Sequence, residues 1–336
     1  MHNDSDIPAP PSDTAPPPAT TGNASTAVRD DARGFAAERA ALAGVVAIPV
    51  TPFTADGRVD WPAHAALLAR LADEGVAAVT PNGNTGEFYA LDPAEARLAT
   101  ENTVKAVGDR TSVIAGIGLD PASAADAARH ARDAGAPMVM VHQPVNPYMS
   151  GEGWIDYHRA IADAVPDVGV VLYLRDPRIT GAHVARLGAV SPNVIGVKYA
   201  VGDPVRFASV GQDAGRARFV WVAGLAELSA PGYFAVGATG FTSGLVNVLP
   251  RASIDMFRAL AAGDRRAVLE IWDLLRPFEE LRAADASADN VSVVKEALAQ
   301  LGLCGRGVRP TSRLLPDDVR AQIAQILDSW RGRWEL

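Results

Sequence analysis

The chain has 336 residues, long enough for one large α/β domain with an appendage or for two ordinary domains. Its composition, 48% hydrophobic and 21% charged, is that of a globular protein, and a formal net charge of −8 disfavours nucleic-acid or anionic-membrane partners, which want a basic face. No apolar run approaches the ~20 residues needed to cross a bilayer, and the single cysteine, Cys304, excludes an internal disulfide and fits a reducing, cytoplasmic setting.

Residues 1–36 are rich in Pro, Ala, Ser, Thr and Asp and nearly lack large apolar side chains. Such a segment buries too little surface to offset its ordering entropy, so a disordered tail is expected. It has no apolar stretch that would make a secretory signal. From residue 44, short apolar and β-branched runs alternate with helical stretches rich in Ala, Leu and Arg. The runs are VVAIPV (45–50), VAAVTP (76–81), SVIAGI (112–117), PMVMVH (137–142), VGVVLYL (168–174), VIGVK (194–198), FVWVAG (219–224) and ATGFTSG (238–244). Near-continuous apolar strands between amphipathic helices indicate a parallel sheet covered on both faces. Asp92-Pro93-Ala94-Glu95 marks a helix start with an N-cap, a first-turn proline and a glutamate at the third position. Asp120-Pro121 repeats the cap and the proline.

Eight strand–helix units in about 210 residues match a (β/α)8 barrel. A doubly wound sheet would carry a glycine-rich phosphate turn after its first strand, whereas here that strand ends Pro49-Val50-Thr51-Pro52-Phe53. The expected organisation is an α/β chain: a tail over 1–36, a (β/α)8 TIM barrel over 37–250 and a C-terminal helical appendage over 251–336. The appendage is read from the apolar stripes Ile254, Phe257 and Leu260; Val268, Ile271 and Leu275; Val319, Ile323, Ile326 and Trp330. Such stripes face a core, and an apolar face there would also suit an oligomer interface.

In a barrel, functional groups gather at the C-terminal ends of the strands and in the loops that follow. Lys198 ends the sixth strand, pointing into the barrel mouth between apolar walls that disfavour its charged form. A neutral amine there forms a Schiff base with a carbonyl substrate, an electron sink for making or breaking the adjacent bond. Alone, a strand-end lysine is more often one whose stem packs while its head reaches water. Tyr173 ends the fifth strand, where a phenol could relay protons or simply pack its ring and wet its hydroxyl. After the second strand, Asn82-Gly83-Asn84-Thr85-Gly86-Glu87 offers an amide and a hydroxyl between glycines that let the backbone approach an anion. Arg175 and Ser243 lie at the ends of the fifth and eighth strands, and position alone makes Ser243 a candidate for binding substrate. His142, ending the fourth strand, reads equally well as a proton carrier or a hydrogen-bonded rim histidine. Nothing around it has metal-ligand spacing.

GNTGE (83–87), Tyr173, VIGVK (194–198) and GATGFTSGLVN (237–247) occur in that order at the ends of strands two, five, six and eight. Together they resemble the dihydrodipicolinate synthase / N-acetylneuraminate lyase family of class I aldolases, over roughly residues 44–312, with VKEALAQLGLCGRGVRP (294–310) resembling a recurrent segment of the family's helical region. The resemblance implies that Lys198 is the Schiff-base lysine and Tyr173 the proton-relay tyrosine. It implies that Asn84 and Thr85 hold the carboxylate of pyruvate or another 2-oxo acid, with asparagine in place of a usual hydroxyl residue. It further implies no metal and no organic cofactor, a small-molecule 2-oxo acid partner, and a homo-oligomer, dimer or tetramer.

The departures narrow the resemblance. The synthases carry Tyr-Tyr-Asn after strand four, one tyrosine reaching a neighbouring subunit's site. Here the segment is His142-Gln143-Pro144-Val145-Asn146-Pro147-Tyr148, with Tyr148 displaced. The synthases also place an arginine before a Thr-Gly, where this chain has Ile179 before Thr180-Gly181. Thr85-Gly86-Glu87-Phe88, the Tyr-x-Arg-Asp at 173–176 and Val201-Gly202-Asp203 are similar instead to the 5-dehydro-4-deoxyglucarate dehydratase branch, in which a Schiff base assists loss of water and carbon dioxide from a sugar diacid. Arg175 would then grip a distal carboxylate bidentately, its bland alternative being a salt bridge to Asp176 or another loop acid. Tyr199 and Ala200 stand where that branch has Asp-Gly. The leading expectation is a Schiff-base lyase, aldolase or dehydratase, acting on pyruvate or a sugar-derived 2-oxo acid through Lys198. The alternatives are 4-hydroxy-tetrahydrodipicolinate synthase itself and a non-catalytic carboxylate-binding paralogue.

Overall fold

The computed structural model describes residues 34–335. The expected tail lies outside the described residues except for 34–36, the last of which opens helix α1 (Ala36–Leu42). Eight parallel strands close into a barrel in chain order: β1 (Val45–Ala47), β2 (Ala78–Val79), β3 (Ser112–Ile117), β4 (Met138–Val141), β5 (Gly169–Leu174), β6 (Val194–Tyr199), β7 (Val220–Ala223) and β8 (Gly240–Ser243). All but β6 lie within the runs read from the sequence, and β6 continues through Lys198 to Tyr199.

The apolar runs are continuous because each strand is buried on both faces. Val46, Ile48, Ile114, Met140, Val171 and Val222 fill the interior of the barrel. Their neighbours along the strands, such as Val45, Ala47, Val113, Val139 and Val170, pack outward against the helices. Truncating an interior residue such as Ile114 to alanine should cost ~2–5 kcal/mol, the usual range for a core cavity. Leu42 of α1 closes the lower end: a Cβ on Gly196 would stand 2.9 Å from its Cδ1.

The surrounding helices are α2 (Trp61–Asp73), α3 (Pro93–Val107), α4 (Pro121–Asp133), α5 (Gly151–Ala164), α6 (Gly181–Val190), α7 (Pro204–Asp213) and α8 (Ala226–Phe234). The start signals read from the sequence are present. Asp92 accepts from the Glu95 N–H while Glu95 accepts from the Asp92 N–H, a capping box, and Asp120 accepts from the Ser123 N–H. Helices α9 (Pro250–Ala262), α10 (Arg265–Ser287), α11 (Asn290–Gln300) and α12 (Asp317–Trp330) follow the barrel. Their stripes face inward as expected, with Val268, Ile271, Leu275, Ile323 and Trp330 buried in the same core as the outer barrel layer. Helix α10 breaks near its end, where Asp285, Ala286 and Ser287 take positive φ, and chain reversal there brings α11 back across the barrel mouth.

One irregularity sets the chemistry. Val170 pairs with Val194 but Val171 pairs with Gly196, so β6 carries one extra residue, Ile195, at that point. Side chains alternate along a strand and a bulge shifts that alternation. Ile195 therefore joins the barrel interior, Val197 and Tyr199 turn outward, and Lys198 faces in. Without the extra residue, a strand that placed Ile195 inside would have placed Lys198 among the helices.

Candidate active site

Lys198 lies directly opposite Tyr173 in the β5–β6 pairing, and its Nζ sits 4.0 Å from the centre of the tyrosine ring. Only 4% of the lysine is exposed. Burial, and secondarily the charge of Arg175, brings its pKa down from 10.5 to about 7. No carboxylate opposes that shift, so much of the amine is neutral and nucleophilic near neutral pH. Burial pushes the Tyr173 phenol upward, keeping its proton in place. The Asn84 side-chain Nδ2 donates to the phenol oxygen at 3.1 Å.

Asn84 and Thr85 sit in a short 3₁₀ turn, Asn84–Gly86, following β2. The flanking glycines serve packing: a Cβ on Gly83 would stand 2.4 Å from Ile48 Cγ2, and one on Gly86 3.0 Å from the Pro49 carbonyl. Thr51 holds the turn from β1, its hydroxyl donating to the Gly86 carbonyl at 2.8 Å. Thr85 is buried and lines a cavity of about 590 Å³ at the barrel mouth, together with Asn84, Tyr173, Arg175 and Lys198. Asn84, Thr85, Tyr173, Arg175 and Lys198, all read as candidates from the sequence, thus line one cleft, with the Asn84 amide engaged by the Tyr173 hydroxyl.

Ser243 also borders the cavity, but its hydroxyl turns outward from β8, donating to Glu227 Oε1 at 2.6 Å and accepting the Val246 N–H at 2.9 Å. The Ser243 hydroxyl is thus taken up within the protein, while Thr242 of β8 and Gly244 just after it also line the cavity. Glu227, which also accepts from Ser253 at 2.5 Å, is raised to about 7 by burial and by Glu279.

Arg175 is exposed, its guanidinium 5.9 Å from the Tyr173 ring centre. The bland alternative of an ion pair with Asp176 does not hold, because Asp176 is bound by Arg178 at 2.6 Å. Beyond the Tyr173 ring, no hydrogen-bond or ion-pair partner of the Arg175 guanidinium is found among the described residues. His142 lies behind Tyr173, stacked on Phe88 at 4.1 Å, with Nε2 2.8 Å from the Asn82 carbonyl. Burial holds its pKa down to about 3, so it is neutral at any working pH and Nε2 is the donor. Tyr148 is 92% exposed and does not enter the cleft.

The C-terminal helices also contribute to the site, which strand-end position alone does not reveal. Arg282 and Glu279 of α10, Asn290 of α11 and Arg309 line the same cavity. Glu87, the last residue of GNTGE, is turned away from substrate chemistry: it is ion-paired with Lys295 of α11 and accepts the Arg309 N–H at 2.9 Å. The Arg309 side chain forks onto Glu95 with both contacts at 2.6 Å. A signal for Arg282 existed. Val268, Ile271 and Leu275 define the buried stripe of α10, and Arg282 continues it one heptad past Leu275, so a charge stood on a core-facing position.

Among the described residues no group of three or more His, Cys, Asp or Glu side chains is placed to hold a metal, and no helix is long and apolar enough to cross a membrane. A neutral amine, a protonated phenol and a hydroxyl-bearing turn around one cavity are the parts needed to form an imine with a carbonyl compound that carries an acid group.

Residues 41–329 match the dihydrodipicolinate synthetase family. The chain is 32% identical over 296 residues to a probable 5-dehydro-4-deoxyglucarate dehydratase of Rhizobium rhizogenes, covering 87% of this chain and 97% of that one. It is 34% identical over 285 residues to a 4-hydroxy-tetrahydrodipicolinate synthase of Phenylobacterium zucineum, covering 83% and 94%. The crystal structure of dihydrodipicolinate synthase from Bacillus clausii superposes with a TM-score of 0.84 at 37% identity, over 88% of this chain and 99% of that one.

Proposed function

The chain belongs to the dihydrodipicolinate synthetase family and is a lyase of the aldolase and hydro-lyase type; from that premise we propose that it acts through Lys198 as a Schiff-base-forming dehydratase on a sugar-derived 2-oxo diacid. The observation that carries the proposal is the buried Lys198 amine, held at a pKa of about 7 beside the Tyr173 ring at 4.0 Å with no carboxylate to stabilise its charged form.

In this reading Nζ attacks the oxo carbon, and the carbinolamine loses water to give a protonated imine. Tyr173 relays the proton from the attacking nitrogen to the departing oxygen. The imine draws electrons from the neighbouring C–H bond, whose proton is lost to give an enamine. The enamine expels the hydroxyl on the next carbon as water, the proton again passing by way of the phenol; the conjugated imine so formed takes up the electron pair of the distal C–C bond as the far carboxylate leaves as carbon dioxide, and protonation of carbon and hydrolysis of the imine free the product and the lysine. Thr85 faces the carboxylate beside the oxo carbon, while Asn84 orients Tyr173. Arg175, with no carboxylate of its own, suits a second carboxylate at the far end of the substrate.

A 5-dehydro-4-deoxyglucarate has the matching sequence of groups: an oxo carbon beside a carboxylate, a methylene, two hydroxylated carbons and a distal carboxylate. The second reading, 4-hydroxy-tetrahydrodipicolinate synthesis, is favoured by the relative in Phenylobacterium zucineum. Against it, Ile179 is buried and apolar at the position before Thr180-Gly181 where an arginine would grip that reaction's second substrate. The two readings separate in one assay. Turnover of 5-dehydro-4-deoxyglucarate, lost in Arg175→Ala chiefly through a raised KM, supports the dehydratase. Formation of 4-hydroxy-tetrahydrodipicolinate without turnover of the diacid overturns it.

A further inference from the structure

Gly244 follows β8 with φ −99° and ψ −28°, a conformation open to any residue. What demands glycine there is space. A Cβ at this position would stand 2.3 Å from Arg282 Nη2 and 3.1 Å from Thr85 Oγ1. The bare Cα is therefore the shelf on which a guanidinium from α10 and the hydroxyl of the β2 turn come together, and all three residues line the cavity.

Arg282 is 6% exposed and its fork is held from two sides. Nε and Nη2 donate to Asn290 Oδ1 at 3.0 and 2.8 Å, and Nη1 donates to Glu279. Each terminal guanidinium nitrogen carries two N–H donors, so the Asn290 bond leaves Nη2 with one more to give. Asn84, the other polar group of the β2 turn, has its amide engaged with Tyr173, and the Ser243 hydroxyl is engaged with Glu227. Lys198, with a pKa of about 7, carries only part of a charge near neutrality, whereas Arg282 on the shelf is always charged and keeps one terminal N–H free beyond its ion pair with Glu279 and its bond to Asn290.

We propose that Arg282 is a substrate-binding residue, its Nη2 acting with the Thr85 hydroxyl over Gly244 to hold the carboxylate next to the oxo carbon, with Glu279 and Asn290 as positioning residues. This rests on the Schiff-base reading of the site. It also gives the break in α10 a role: the bonds from Arg282 to Asn290 span residues 283–289 and tie both sides of the break to the bound acid.

The test compares borohydride trapping of pyruvate with that of pyruvamide, in which a neutral amide replaces the carboxylate. Wild type should form a Lys198 adduct with both and favour pyruvate. In Arg282→Met the pyruvate adduct should form about 10- to 100-fold more slowly, the worth of a charge-assisted hydrogen bond, with pyruvamide unchanged. Because Arg282→Met leaves Glu279 without its partner and could unfold the protein, Gly244→Ala provides a second route: the added methyl displaces Nη2 with both of its anchors in place, and it should depress the same ratio. A pyruvate-to-pyruvamide ratio equal to that of wild type in folded Gly244→Ala and Arg282→Met protein overturns the assignment and leaves Arg282 a structural clamp. Wild-type protein that traps neither compound contradicts the Schiff-base reading itself, a failure seen before any variant is compared.

Discussion

Lys198 and Lys295 are both buried, and each places its ammonium 4.0 Å from the centre of an aromatic ring, Tyr173 for the first and Phe53 for the second. Burial lowers the pKa of both. Their surroundings then diverge. Lys295 is ion-paired with Glu87 and donates to the Gly307 carbonyl at 2.9 Å, contacts that favour the charged form and tie α11 and the chain after it to the β2 loop. Lys198 has no anion, and its nearest charge of note is the like charge of Arg175. A low-dielectric site and an aromatic face thus do not by themselves make a nucleophile. In the proposed mechanism the missing counter-charge is what leaves Lys198 neutral enough to react, whereas a carboxylate in the right place turns the same side chain into a structural bolt.

The comparison can be broken most directly at the two amines and their neighbours. Lys198→Ala should remove turnover by a factor on the order of 10⁴–10⁶, the scale seen when a covalent nucleophile is deleted, with the thermal midpoint unchanged or higher because a poorly compensated amine has gone; steady-state rates and a melting curve check both. Tyr173→Phe keeps the ring under Lys198 and deletes the hydroxyl, so turnover should fall by about 10²–10⁴, the usual worth of a proton carrier, while pyruvate can still be trapped in a slower reaction. Lys295→Met leaves Glu87 a buried, unpaired carboxylate and should cost ~3–5 kcal/mol of stability, measured by denaturant unfolding; Lys295→Met combined with Glu87→Gln should recover part of it.

The smallest effect is in pH. With a pKa of about 7, about a tenth of the Lys198 amine is neutral at pH 6, by the ordinary titration relation. The imine-forming rate should therefore rise about tenfold from pH 6 and level off above pH 8, while Tyr173, raised by burial, stays protonated throughout. The same shift has a stability consequence of defined sign. Between about 7 and 10.5 the unfolded chain binds more protons at Lys198 than the folded one, so this group's destabilising contribution is full below pH 7 and fades as pH rises toward 10.5.

Much of this architecture was legible in the sequence. The apolar runs located every strand because parallel strands buried on both faces need such runs, and the helix starts were written in Asp92-Pro93 and Asp120-Pro121. Lys198 and Tyr173 could be placed at neighbouring strand ends for the same reason. The rest depended on phase and on distance along the chain. Val194-Ile195-Gly196-Val197 is equally apolar with or without a bulge, so the extra residue that turns Lys198 inward left no mark in the pattern. Ser243 sits one residue out of phase with the cavity, and alternation along a four-residue strand whose register is unknown cannot say which face is inner. Glu87 read as a mouth residue because its partner, Lys295, is 208 positions away. Arg282 stood on a core-facing stripe and could have been flagged, although its destination beside Gly244 is a tertiary fact.

Whether Lys198 and not Lys295 carries the chemistry is read out by peptide mapping after borohydride reduction. The protein is incubated with pyruvate and separately with 5-dehydro-4-deoxyglucarate, reduced, digested and searched for the added mass. A single modified peptide containing Lys198 is expected, absent in Lys198→Ala and retained in folded protein carrying Lys295→Met. An adduct on Lys295, or none on Lys198 with either compound in folded protein, would contradict it.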